Sequence, residues 1–159
     1  MSPAALHFWE EFKNRATESS ELSLYESFYF GDSAEMAREL GELVVSGKKK
    51  ATASSAWAFE AEGRAPPKVG DLSLVTDWTG NPMCIIETTS IEQVSFKEVS
   101  EEFAREEGEG DGSLEFWREA HTAFFERDCQ RMGRQFHREM PVVCERFRVV
   151  ALYAPSVAS

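Results

Sequence analysis

Two β-prone runs joined by a turn constrain the fold of this chain more than any other feature. Asp71-Leu72-Ser73-Leu74-Val75-Thr76 alternates polar and apolar residues with the period of two that a half-buried strand requires. The stretch Asp77 to Pro82, with Gly80-Asn81-Pro82, supplies turn chemistry, and Met83 to Val94 reads as a long second strand. Such a hairpin must bury one face and protect its edges, so the rest of the chain has to supply cover and further strands.

The cover is helical. Ser2 with Pro3 behind it reads as an N-cap and first helical position, and Leu6, Trp9, Phe12, Lys13 and Ala16 follow amphipathic spacing, giving a helix over about 3–18. Asp32 and Glu35 have capping-box spacing, and Ala34, Ala37, Leu40, Gly41, Val44 and Val45 form a second stripe ending near Gly47. Leu24 to Gly31, between them, is aromatic and irregular. Ser95 with Glu98 predicts a short helix stopping near Gly108, and Ser113 opens a longer one with Leu114, Trp117, His121, Phe124 and Phe125 on one face.

Two more strands complete the set: the small-residue run Ala51 to Ser55 and the β-branched, aromatic run Val142 to Tyr153. Strands in the middle and at the end, flanked by helices, predict an α+β fold rather than a wound βαβ sheet. A small barrel is one way for several short strands to hide their edges.

A length of 159 residues suits a single domain over 1–159. The longest apolar stretches, Met83 to Ile86 and Pro141 to Cys144, fall far short of the roughly 20 residues a membrane helix needs. The N-terminus has no basic segment followed by an apolar core, so the expected location is cytoplasmic. Cys84, Cys129 and Cys144 are odd in number and lack CxxC spacing, which predicts buried thiols. The net charge of −11 opposes indiscriminate phosphate binding, so any nucleic-acid contact must be local.

Two segments carry chemistry. In Gly47-Lys48-Lys49-Lys50-Ala51-Thr52-Ala53-Ser54, lysines and hydroxyls follow a helix end. Lysines there ordinarily complement the helix dipole, but they can also cradle an anion, and a desolvated lysine with a lowered pKa can act as base for a threonine hydroxyl. In Glu106-Glu107-Gly108-Glu109-Gly110-Asp111-Gly112-Ser113, an acidic loop precedes a helix. It reads as a solvated turn, as one carboxylate presented to a cleft, or as a divalent metal site through Glu107, Glu109 and Asp111, without EF-hand spacing.

Arg127, Arg131, Arg134 and Arg138 recur at helical spacing and make a basic stripe if the helix runs through Gly133. Such a stripe is usually a solvated face, yet it also offers phosphate contacts. His121, among apolar neighbours, reads as a hydrogen-bonded core histidine. Trp57 and Trp78 lie near loop positions, where core packing and base stacking are the two roles open to them.

Taken in order, Gly47-x-Lys49-x-x-Thr52, Gly70-Asp71, Ile85-Ile86-Glu87-Thr88-Thr89, Phe103-Ala104-x-Glu106-Glu107-Gly108 and Phe147-x-Val149-Val150 resemble the ASCH domain family, from about Leu22 to Tyr153. These are small β-barrels similar to the PUA domain of RNA-modifying proteins, so the resemblance implies a PUA-like barrel with flanking helices. It carries the family's proposed catalytic set onto Lys49, Thr52 and Glu107. Short members hydrolyse the acetyl amide of N4-acetylcytidine, and longer members are associated with ribonuclease activity on single-stranded RNA. Ser54 stands where the short members have arginine, and those members lack both the N-terminal helix and the long Trp117 helix.

The expectation is therefore an RNA-related hydrolase, a ribonuclease or a modified-nucleoside amidohydrolase, with a non-catalytic RNA-binding module as the alternative. Its partner is RNA or a modified nucleoside and not a membrane. Lys48, Lys50, Arg127 and Arg131 are the expected RNA contacts, and the one cofactor considered is a divalent metal ion.

Overall fold

Residues 1–16 and 22–155 are described by the computed structural model. The elements run α1 (Pro3–Arg15), β1 (Leu24–Phe28), α2 (Ala34–Val45), β2 (Ala51–Ser55), α3 (Ala56–Glu62), β3 (Leu72–Thr76) and β4 (Pro82–Ser95). A 3-10 turn at Phe96–Glu98 follows, then α4 (Glu101–Glu107), α5 (Leu114–Arg131) and β5 (Pro141–Leu152). Among the described residues, all five α-helices start from a serine whose hydroxyl accepts a backbone N–H of the first turn: Ser2, Ser33, Ser55, Ser100 and Ser113. No helix among the described residues is long and apolar enough to cross a membrane.

The strands form one mixed sheet in the order β1-β3-β4-β5-β2. The hairpin read from the sequence is present as the antiparallel pair β3/β4, from Leu72 opposite Glu87 to Thr76 opposite Pro82. β2 runs antiparallel to β5, with Thr52 opposite Glu145 and Ala53 opposite Cys144. The fold is α+β as expected, but the sheet begins and ends on β1 and β2 and is not closed into a barrel. Both edges are only five residues long, and short edges need no closure for protection.

The chain divides into two compact units. The first comprises Met1–Gly47, Gly70–Glu87 and Arg148–Ser159. Its core gathers Ala5, Phe8 and Trp9 of α1 with Leu72, Leu74 and Ile85 of the hairpin. The second comprises Lys48–Val69 and Thr88–Phe147. Its core joins Ala51, Phe96, Phe103, Trp117, Phe125, Met140 and Val142. All three cysteines are free and buried, and burial pushes the thiols of Cys84 and Cys144 up to about 12, where they stay protonated and inert.

Several local expectations are corrected. Leu24 to Phe28 is a strand, parallel to β3, because pairing along its backbone decides what its irregular apolar pattern could not. Ser33 caps α2 in place of Asp32. Ser95 opens only the 3-10 turn, without a side-chain capping bond; extended Val99 interrupts the chain, and Ser100 starts α4 with Glu101 and Glu102 favourably placed in its first turn. Trp57 lies on α3, a helix the sequence pattern did not suggest. α1 ends at Arg15, since Ala16 is extended; positions 17 and 18 of the predicted helix lie outside the described residues.

Candidate active site around Lys49 and Glu107

The second unit brings the end of α4 against the segment entering β2. Gly108 closes α4 at φ 67°, a left-handed conformation that glycine adopts without steric cost. A Cβ at this position would meet the Lys48 carbonyl oxygen at 2.3 Å, so only glycine permits the approach. Backbone bonds fasten the contact on both sides: Lys50 N–H donates to the Glu106 carbonyl at 2.8 Å, and Phe147 N–H donates to the Lys50 carbonyl at 3.1 Å. Glu106 also pairs with Arg146 of β5.

This clamp buries Lys49 among oxygens. Its Nζ donates to Glu107 Oε2 at 2.7 Å, to Glu109 Oε2 at 3.0 Å and to the Ala51 carbonyl at 2.7 Å. The other oxygen of Glu107 receives the Trp117 indole N–H at 3.0 Å and faces His121 Nε2 at 3.3 Å. Burying ions costs several kcal/mol each, which only a fully satisfied network offsets. Every oxygen of Glu107 has a donor here.

Charge follows from these contacts. Burial by itself would lower the Lys49 ammonium, but the carboxylates of Glu107 and Glu109 reverse this and hold its pKa above the ordinary lysine value. The neutral lysine base considered from the sequence is thereby corrected: Lys49 is a fixed cation. Burial would raise Glu107, but Lys49 and then His121 hold it well below the usual carboxylate range. Glu109 responds in the opposite sense. Burial raises it to about 7, helped by its contact with Glu107 and opposed by Lys49.

His121 is buried, as expected of a core histidine, but it belongs to this network. Its ring stacks on Trp117 at 4.1 Å between centroids and 14° between planes. Its Nδ1 lies 2.9 Å from the Trp117 carbonyl, an acceptor only, so Nδ1 carries a hydrogen. Burial works against the imidazolium, and Glu107 outweighs it, raising the pKa.

Of the residues singled out from the sequence, Lys49 and Glu107 meet, and Thr52 does not join them. Ala51 and Ala53 pack on the core of the second unit, so alternation along β2 turns the half-buried Thr52 side chain to the opposite face. Lys48 and Lys50 are exposed beside the buried Lys49. The basic stripe is broken: α5 stops at Arg131, leaving Arg134 and Arg138 beyond the helix, and Arg131 contacts Asp128 at 3.4 Å while Arg127 lies over Phe124. Trp57 packs partly against the core and carries the Arg134 guanidinium 4.5 Å from its ring centroid. Trp78 is exposed and meets Tyr29 at 4.7 Å.

Metal ligation changes partners as well. Asp111 is exposed and accepts the Ser113 backbone N–H at 2.9 Å, whereas Glu107, Glu109 and His121 bring ligand atoms within 4.8 Å of one another. These three do not fit a divalent ion as arranged. The Lys49 ammonium already bridges the two carboxylates, and a second cation beside it would be repelled. Glu109 and His121 were the functional candidates sequence reasoning undervalued; the acidic loop signalled the first, and only folding reveals the second.

The fold and site define an open α+β sheet whose second unit encloses a lysine–carboxylate centre. The ASCH domain model matches residues 26–151, and the chain belongs to that family, which is generally linked to RNA-related functions. It is similar to the ASCH domain of Lactobacillus crispatus JV V101, with 37% identity and a TM-score of 0.89 over 95% of this chain and 96% of that one. It is also similar to a protein of Enterococcus faecalis V583, with 36% identity and a TM-score of 0.87 over 96% of this chain and 91% of the other. No curated protein matches the chain.

Proposed function

We propose that this protein is a ribonuclease that cleaves single-stranded RNA by internal transesterification, in which Glu109 is the general base and the Lys49–Glu107 pair holds it in place. The observation that carries this reading is a half-buried carboxyl with a pKa of about 7, 3.0 Å from a buried ammonium. A base poised near neutral pH combines the correct protonation state with useful basicity. In this step Glu109 takes the proton of a ribose 2′-OH. The 2′-oxygen forms a bond to phosphorus, the bond from phosphorus to the 5′-oxygen breaks, and the departing oxygen is protonated by water. Lys48 and Lys50, exposed on either side, offer charge to the phosphate oxygens.

The position of Thr52 favours this chemistry over amide hydrolysis. A threonine nucleophile needs its hydroxyl against a base, and here the hydroxyl lies on the strand face turned away from the core on which Ala51 and Ala53 pack. RNA supplies its own nucleophile. Wild-type protein, Glu109→Gln and Thr52→Val are to be assayed on single-stranded RNA, its deoxy counterpart and N4-acetylcytidine. Cleavage of RNA alone, leaving 2′,3′-cyclic phosphate ends and lost in Glu109→Gln but kept in Thr52→Val, is expected. Turnover of N4-acetylcytidine that Thr52→Val abolishes would replace this reading with an amidase, and binding without turnover would leave an RNA-binding module.

A further inference from the structure

A groove of about 550 Å3 runs beside the C-terminal part of α5, lined by none of Lys49, Glu107, Glu109 and His121. Glu126, Arg127 and Gln130 line it from neighbouring positions on the helix, and Arg134, Gln135 and Phe136 from the segment beyond. Its planar groups are held by aromatic contacts. The Arg134 guanidinium lies over Trp57 at 4.5 Å, Arg127 lies over Phe124 at 5.9 Å, and Phe136 meets Phe96 edge-on at 5.1 Å.

Two guanidinium groups face one carboxylate in this groove, the reverse of the balance in a chain of net charge −11. Guanidinium groups bind phosphate oxygens in pairs and stack on flat rings. Side-chain amides both donate and accept, as recognition of a base edge requires, and Phe136 adds a ring for stacking. Phosphate, hydrogen-bonding edge and flat face occur together in a nucleotide.

We infer that this groove binds a nucleotide unit of single-stranded RNA, with its phosphate on Arg127 and Arg134 and its base against Gln130, Gln135 and Phe136. The polymer rests on the function proposed above; the groove is a separate holding point for it. At a rise of 1.5 Å per residue, Gln130 lies roughly 13 Å along α5 from His121, close enough for one short strand to reach both places.

The test is fluorescence anisotropy of a labelled, short, single-stranded oligoribonucleotide, in a Glu109→Gln background so that nothing is cleaved. Arg127→Gln/Arg134→Gln should weaken binding at least about tenfold and lower the slope of log affinity against log salt by roughly 0.7, the share of the one phosphate they hold. Glu126→Gln, an exposed change with no expected cost to folding, should tighten binding several-fold. Wild-type affinity and salt slope in the double variant, or no tightening in Glu126→Gln, overturns the groove. The two readings separate cleanly. Arginine-dependent binding with no RNA turnover by wild-type protein supports the groove and defeats the ribonuclease, and turnover with arginine-independent binding does the reverse.

Discussion

The Nζ of Lys49 lies 2.7 Å from Oε2 of Glu107, and each side chain is 1% exposed. Removing one member of such a pair strands the other as an uncompensated buried charge, at a cost of about 3–5 kcal/mol. Lys49→Met should therefore lower the free energy of unfolding in urea by that amount. Replacing both together, as Lys49→Met/Glu107→Leu, should recover most of it. If the double variant is as unstable as the single one, the pair is not the unit of stabilisation argued here.

The same centre predicts how stability depends on pH. Glu109 has a folded pKa of about 7, above its ordinary 4.5, so the folded state binds the proton more tightly. Its contribution is fully present below pH 4.5 and is lost as pH rises through 7. His121, also raised, adds a loss of the same sign above its ordinary 6.5. Glu107, held low, acts oppositely: its contribution is present above pH 4.5 and lost as pH falls through its depressed folded pKa. Thermal melts should show stability falling between pH 4.5 and 8, with a shallower fall in Glu109→Gln.

Activity should have the opposite slope. A carboxylate base works only when ionised, so kcat/KM for RNA cleavage should rise with pH and level off above about 7. Glu109→Gln should lower it by about 10²- to 10⁴-fold and remove the inflection. An unchanged pH profile in that variant would assign the base to another group.

Gly108 tests the clamp. Alanine there must adopt φ 67° and place its Cβ 2.3 Å from the Lys48 carbonyl oxygen. The backbone strain alone costs on the order of 1–3 kcal/mol, and relieving the clash moves Lys48 away from α4. Gly108→Ala should lower both the melting temperature and RNA turnover. Gly63→Ala, at a left-handed helix end with open space around it, should cost stability without comparable loss of turnover.

Much of this molecule was legible in its sequence because the relevant physics is local. The β-prone run Leu72 to Thr76 and the turn before Pro82 define the hairpin, although all five residues of β3 are buried where alternation predicted a half-buried strand, and Ser2 and Ser113 mark two helix starts where they occur. Lys49 and Glu107 were identified through resemblance, and they meet. What was hidden depends on neighbours distant in the chain. A histidine among aromatic residues has the pattern of a core residue, and its contact with Glu107 exists only once α5 packs beside α4. Lysine pKa likewise depends on partners: burial alone lowers it, and the two carboxylates reverse the sign. Thr52 has the right spacing in sequence, but β2 is extended and alternation turns it aside.

Strand pairing also sets a timetable. β2 lies at the edge of the sheet and pairs with β5, so Thr52 must wait for Glu145 to be synthesised before its ladder can close. The Lys49–Glu107 pair spans 58 residues, and the Lys50 carbonyl has its N–H donor on Phe147, later still. Long-range pairings of this kind close slowly, because the entropy of a large loop is lost before the contact stabilises it. On a ribosome, the segment from Gly47 to Ser55 therefore emerges long before the strand that holds it. A nascent chain halted before Pro141 would carry every charged group of the Lys49 centre without the strand that completes its clamp.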